Sequence, residues 1–221
     1  MNSFRKGLVT SCSIALGYFP AGATFGVLAV ASGFNPFEAL SASMFIFAGA
    51  SQFALLSTLS YGLLWSLLIP LLLNLRHVVY GVIMTRRVRI RYPLVTAFGL
   101  TDEVFVVAQG MNSERFLWGV QLGAYFSWVA GTAVGVFGGR FLFREGLLTS
   151  SMVFSLAGLF LVLLIPRIKG FGDGNFWSAI AGGIVALIFH LLGYTSWGII
   201  AASVVGPLFA VYVENRRRET T

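Results

Sequence analysis

The sequence predicts an all-α fold: a polytopic membrane helical bundle forming a single transmembrane domain over residues 1–221. Three observations lead there. Hydrophobic residues fill 57% of the chain and charged residues 10%, against about 25% charged in a soluble domain. Mean hydropathy is +0.84, and 15 Lys/Arg with 8 Asp/Glu cannot coat a globule of 221 residues in water. The apolar residues also gather into runs at 8–31, 36–59, 63–84, 93–110, 116–138, 147–165, 175–192 and 194–213. Each is near the ~20 residues a helix needs to cross the hydrocarbon core. The short alternating strands of a membrane β-barrel are absent. The net charge of +7 lies in short basic clusters between the apolar runs, where Lys and Arg set orientation in a membrane rather than contact nucleic acid.

The first segment opens with Arg5, Lys6, an apolar run and Ala21-Gly22-Ala23, which imitates a secretory signal. Polar Ser11-Cys12-Ser13 interrupts that run, so the segment reads as retained, with Cys12 as a small packing residue. Pro20 removes a backbone donor and predicts a kink or break. Freed backbone groups at membrane depth are tolerated only against protein or a wet cavity. Tyr18, Pro20, Gly22 and Gly26 are therefore candidate substrate-binding positions, while Gly22 and Gly26 equally fit a small-xxx-small helix contact.

In segment two, Pro36 fits a first helical turn, and Glu38 suits the positive end of that helix. Ser41, Phe45, Ala48 and Gln52 would share one face of an unbroken helix. Ser51 and Gln52 join the candidate ligand wall. Segment three carries Asn74, Arg76, His77 and Tyr80, with Asn74 and His77 on one face and Arg76 and Tyr80 on another. Segment four carries Thr101-Asp102-Glu103 inside an apolar run. Each charge at the centre of a membrane helix costs about 2.5–3.5 kcal/mol. The cheapest arrangement is an ion pair between Arg76 and Asp102 or Glu103, the other acid being protonated or free to couple a proton. Arg76 could equally clamp a substrate carboxylate, and His77 could assist proton movement. Segments five to eight offer less: His190, among Phe189, Leu191 and Leu192, reads as a buried, hydrogen-bonded side chain rather than a ligand, Pro207 is a second kink position, and Trp118, Trp128, Trp177 and Trp197 lie near segment ends or inner faces, as interfacial anchors would.

An internal repeat links residues of about 8–110 to residues of about 116–213. Ala21-Gly22-x-x-x-Gly26-Val27 recurs as Ala130-Gly131-x-x-x-Gly135-Val136, and Phe45, Ala48, Gly49 and Leu55 meet Phe154, Ala157, Gly158 and Leu164 at the same offset. If all eight segments cross, the halves are parallel. If segments one and five re-enter, the halves are inverted, as in many secondary transporters. The charge count favours inversion. It places Arg5, Lys6, Arg86, Arg87, Arg89, Arg91, Arg167, Lys169 and Arg216–Arg218 on one side, and Arg115, Arg140 and Arg144 on the other.

The phosphate-binding, zincin and nucleophile-elbow motifs are missing. Two His and one Cys cannot build a soft-ligand zinc cluster. The expectation is therefore no metal, no cofactor and no enzyme activity.

Four runs in order carry a family resemblance: Gly17-Tyr18-Phe19-Pro20 with Phe25-Gly26, Phe47–Phe53, Asn74–Gly81 and Leu100–Phe105. Together they resemble the AzlC family, large membrane subunits of two-component branched-chain amino acid exporters. The resemblance implies export of leucine, isoleucine and valine, in some members methionine, driven by the proton-motive force. It also implies a multi-pass protein of the bacterial inner membrane and a small AzlD-type partner. Two other readings stand beside it: an intramembrane enzyme using Asp102, Glu103 and His77, and a structural subunit whose polar segments only grip a partner.

Overall fold

The computed structural model describes residues 2–142, 168 and 174–219. Among them no strand occurs; the chain is helices joined by short turns. It divides into two compact units, Met1–Phe160 and Leu161–Thr221. Segment six and the repeat positions Phe154, Ala157, Gly158 and Leu164 lie outside the described residues.

In the first unit α1 (Ser3–Thr10) leads through a turn at Ser11 into α2 (Cys12–Ala31). Next come α3 (Pro36–Phe45), α4 (Gly49–Thr58), a 3-10 turn at Leu59–Tyr61 and α5 (Leu63–Thr85). Then follow α6 (Pro93–Phe98), α7 (Asp102–Ala108) and α8 (Glu114–Leu142). In the second unit α9 (Gly174–Leu191) and α10 (Thr195–Glu219) pack as a helical hairpin. Among the described residues, four helices are long and apolar enough to cross a membrane: Cys12–Ala31, Leu63–Thr85, Glu114–Gly139 and Gly174–Leu191.

The helix starts follow local chemistry. Pro36 sits in the first turn of α3, and Asn35 with Glu38 forms a reciprocal capping box that satisfies two otherwise orphaned amides. Glu114 at the start of α8 accepts from the amides of Arg91 and Tyr92 and from the Thr96 hydroxyl, tying the entry of α6 to α8.

The centre of the unit is a glycine seam between the first segment and α8. A Cβ on Gly7 would stand 2.1 Å from the carbonyl oxygen of Phe116, one on Gly22 2.5 Å from that of Trp128, and one on Gly26 2.4 Å from that of Thr132. From the other side, Gly131 and Gly135 would meet the carbonyl oxygens of Phe19 and Ala23 at 2.1 and 2.0 Å. The small residues let two backbones touch, the packing expected where hydrocarbon supplies no hydrophobic drive between helices. Residue numbers rise together along the seam, so α2 and α8 run parallel. That overturns the inverted arrangement for segments one and five. The charge count was an argument about loops, and helix packing decides the direction.

The expected break at Pro20 is also absent, because α2 and α8 are continuous over 20 and 29 residues. A proline deletes one amide donor, and the turns on either side can still hold a helix together; Pro70 and Pro207 likewise sit inside unbroken helices. The breaks fall instead in segments two and four, at 46–48 and 99–101. The first splits the face expected for Ser41, Phe45, Ala48 and Gln52, leaving Phe45 77% exposed and Gln52 fully buried. Two smaller expectations also fail: Cys12 is exposed, and Trp128 is a core residue rather than an interfacial anchor.

Candidate functional site

Each break has a local cause and a remote brace. At the first, Ile46 leaves the helical conformation and Ala48 turns extended, and the Ala48 amide bonds to the Ile46 carbonyl, 2.8 Å, instead of to Met44. The Met44 carbonyl is then met by the Tyr125 hydroxyl at 3.2 Å. Gly49 is required there, because any Cβ would press within 2.7 Å of the Trp128 ring. At the second break the Leu100 amide donates to Ala97, 3.2 Å, and the Thr96 carbonyl it would have served receives the Gln121 side-chain amide at 2.7 Å. Thr101 becomes extended and its hydroxyl caps α7 by accepting from the Val104 amide.

Both braces stand on α8. Gln121, Tyr125, Trp128 and Thr132 follow a 4-3-4 spacing that aligns them along one helix face. Of these, the sequence pointed only to Trp128, and to that one as an interfacial anchor; Gln121, Tyr125 and Thr132 were missed. Their signal was present as a polar and aromatic stripe in a segment read as bland. Replacing Gln121 by Leu should leave the Thr96 carbonyl buried and unpaired, a loss of about 1–3 kcal/mol. Thermal unfolding in detergent would register it, and an unchanged melting temperature would show that the break needs no brace.

The two breaks converge on the middle of α5. Between them lies a polar cavity of about 30 Å³ lined by Tyr18 of α2, Ala48–Ala50 at the start of α4, Arg76 and His77 of α5, Thr101–Glu103 at the start of α7 and Trp128 of α8. That volume suffices for about two waters or one small charged group. Arg76 Nη2 pairs with Asp102 at 2.9 Å, and the Tyr80 hydroxyl donates to the same carboxylate at 2.7 Å. Tyr80 is stacked on Phe105 with ring centroids 4.5 Å apart. Arg76 Nε is buried with no partner, as is Trp128 Nε1. Glu103, 4% exposed, takes a hydrogen bond from the Tyr18 hydroxyl.

A second cavity of about 400 Å³ adjoins through the shared residues Ala48 and His77. Phe45, Ile46, Phe47, Ala97, Phe98 and Leu100 give it apolar walls, and Asn74 completes them. A third cavity of about 380 Å³, between α1, α6 and α8, is almost wholly apolar and is lined by no charged side chain.

Among the candidate positions, Tyr18, Arg76, His77, Asp102 and Glu103 line the polar cavity, and Tyr80 supports it through Asp102. Asn74 lies on the adjoining cavity and accepts from Ser51 at 2.7 Å. Gln52 is turned into the protein and donates to Ser43, 3.2 Å, in a buried chain continuing to Thr132. Pro20, Gly22 and Gly26 are not brought to the cavity. The Pro20 carbonyl accepts from the Thr24 hydroxyl, and the two glycines serve the α8 seam.

Residues 13–142, which contain every wall of this site, match the AzlC protein family. The chain belongs to the AzlC family. Residues 147–217 match a further family, MJ1155. The chain is 51% identical to an uncharacterized membrane protein of Archaeoglobus fulgidus, covering 94% of both proteins. It is 34% identical to the inner membrane protein YgaZ of Escherichia coli K12, over 95% of this chain and 90% of that one. The branched-chain amino acid transport protein AzlC of Bacillus subtilis is 28% identical over 75% of this chain and 68% of its own. No solved structure matches. Membership of the AzlC family agrees with a membrane protein that is helical throughout its described residues and brings Arg76, Asp102 and Glu103 together between its helices.

Proposed function

We propose that this AzlC-family protein exports branched-chain and similar hydrophobic amino acids across the inner membrane. It would act as the large subunit beside a small AzlD-type membrane partner, drawing on the proton-motive force. The observation that carries the reading is the pairing of a small charged cavity with a larger apolar one across Ala48 and His77. A zwitterion with an aliphatic side chain needs that division. Its carboxylate would meet the unpartnered Nε–H of Arg76 in a charge-assisted hydrogen bond. The aliphatic chain would lie among Phe45, Phe47, Phe98 and Leu100 in a space within the usual range for small-ligand pockets. Leucine, isoleucine, valine and methionine would overlap as substrates, because one methylene in an apolar pocket discriminates by only about 1–3 kcal/mol. The naming of the Bacillus subtilis relative as a branched-chain amino acid transport protein supports the same substrate class.

The test is efflux of radiolabelled leucine from proteoliposomes holding the chain with its small partner, with and without a pH gradient. Wild type should release leucine faster under the gradient. Phe98→Trp, which fills the apolar cavity, should slow leucine more than valine while the polar cavity stays intact. Absence of aliphatic amino acid efflux from the assembled wild-type complex would overturn the assignment.

A further inference from the structure

Glu103 is the one acid of the site without a cation. Among the described residues, Arg76 is paired to Asp102, and Glu103 has no ion-pair partner. The groups facing it are the Tyr18 hydroxyl from α2, Thr101 and Asp102 from α7, Arg76 and His77 from α5, and the indole of Trp128 from α8; Tyr80 stands behind Asp102. With Asp102 and Arg76 cancelling, an ionised Glu103 leaves the cavity one negative charge in excess. A lone buried charge of this kind is expensive, and the usual resolution is a bound proton or a bound cation.

The hydrogen bonds around Glu103 accept both. Tyr18 has one hydroxyl proton and two oxygen neighbours, Glu103 and Thr101, the latter at 2.8 Å. When Glu103 is ionised, the phenol donates to the carboxylate and accepts from the threonine hydroxyl. When Glu103 is protonated, the carboxylic acid donates to the phenol, and the phenol turns its own proton to Thr101. In either state the Tyr18 hydroxyl both donates and accepts between Glu103 and Thr101. The adjoining space takes a group the size of an ammonium.

Resting on the amino-acid reading above, we propose that Glu103 binds either the coupling proton or the substrate ammonium, but not both. The exchange balances. A protonated Glu103 gives its proton to water as the ammonium of the zwitterion arrives, leaving a carboxylate–ammonium pair. Departure of the amino acid then lets a proton return. One proton therefore moves against each amino acid, and each cycle carries one net positive charge opposite to the substrate.

Leucine added to the purified full-length chain with its partner, in weakly buffered detergent solution, should release up to one proton per leucine bound. Apparent affinity should weaken about tenfold per pH unit below the titration of Glu103. Glu103→Asp should retain proton release, whereas Glu103→Gln should release none and bind leucine with pH-independent affinity. On the wild type alone, infrared difference spectra should lose the carbonyl band of a protonated carboxyl when leucine is added. Proton release unchanged in Glu103→Gln, or leucine binding to wild type without release and without loss of that band, would overturn the shared site. A folded complex that binds no leucine would instead overturn the amino-acid reading on which this rests.

Discussion

Replacing Gly131 by Ala is expected to lower the melting temperature sharply or abolish recovery of folded protein, although it adds a single methyl group. That methyl would stand 2.1 Å from the Phe19 carbonyl oxygen and 3.1 Å from the Ala23 amide nitrogen. Neither is the end of a flexible side chain that could swing away. One helix must back off the other, which loosens the seam on either side. Ordinary overpacking costs about 1–3 kcal/mol, and a collision of two backbones belongs at or above the upper end. Gly81→Ala is the matched control. No atom outside its own helix lies within 4 Å of the added Cβ, and alanine is the better helix former by about 0.8–1 kcal/mol. Size-exclusion profiles and thermal scans of both variants decide the matter. Equal stability of the two would show that the seam is not closely packed.

The second large effect is expected at the ion pair. Asp102→Asn leaves the Arg76 guanidinium inside a membrane protein without its carboxylate, and Arg76→Ala leaves the acid with only the Tyr80 hydroxyl. Each single substitution should destabilise by about 2.5–3.5 kcal/mol, the scale of one charge at the centre of a membrane helix. The double substitution Arg76→Ala with Asp102→Asn should recover most of that loss, since removing both charges leaves nothing to solvate. A double-mutant cycle of unfolding free energies measures the coupling directly. Strictly additive losses would mean that the two side chains do not stabilise one another, despite their 2.9 Å separation.

Much of the helical layout was legible in the sequence, because crossing hydrocarbon demands long apolar runs and the polar turns between them stand out. The run at 63–84 became α5, and Pro36 with Glu38 marked the start of α3 through capping chemistry that acts within four residues. The charged residues of the site were visible for the same reason: Arg76, Asp102 and Glu103 interrupt apolar sequence where few charges belong. The breaks were not legible. Neither 46–48 nor 99–101 contains a proline. Their non-helical backbone is held by Tyr125 and Gln121, which are 81 and 25 residues away from the carbonyls they satisfy. Pro20 drew attention because proline is a local signal, yet the helix around it persists. The direction of segment five relative to segment one was equally remote from any local pattern. It was settled by carbonyl-to-glycine contacts across about 109 positions.

The stripe on α8 has a mechanical consequence. α8 is clasped to α2 along its length, so it serves as the fixed frame of the unit, and the backbone carbonyl freed at each interruption is pinned to that frame by one side-chain hydrogen bond. Displacing either interruption means giving up one such bond, a cost of about 0.5–1.5 kcal/mol. That is large enough to define a position and small enough to be crossed by thermal motion. The arrangement is a pair of shallow detents on one rail, four residues apart at Gln121 and Tyr125. A movement that tilts the rail disengages both together, whereas a movement of one half-helix slips only its own catch.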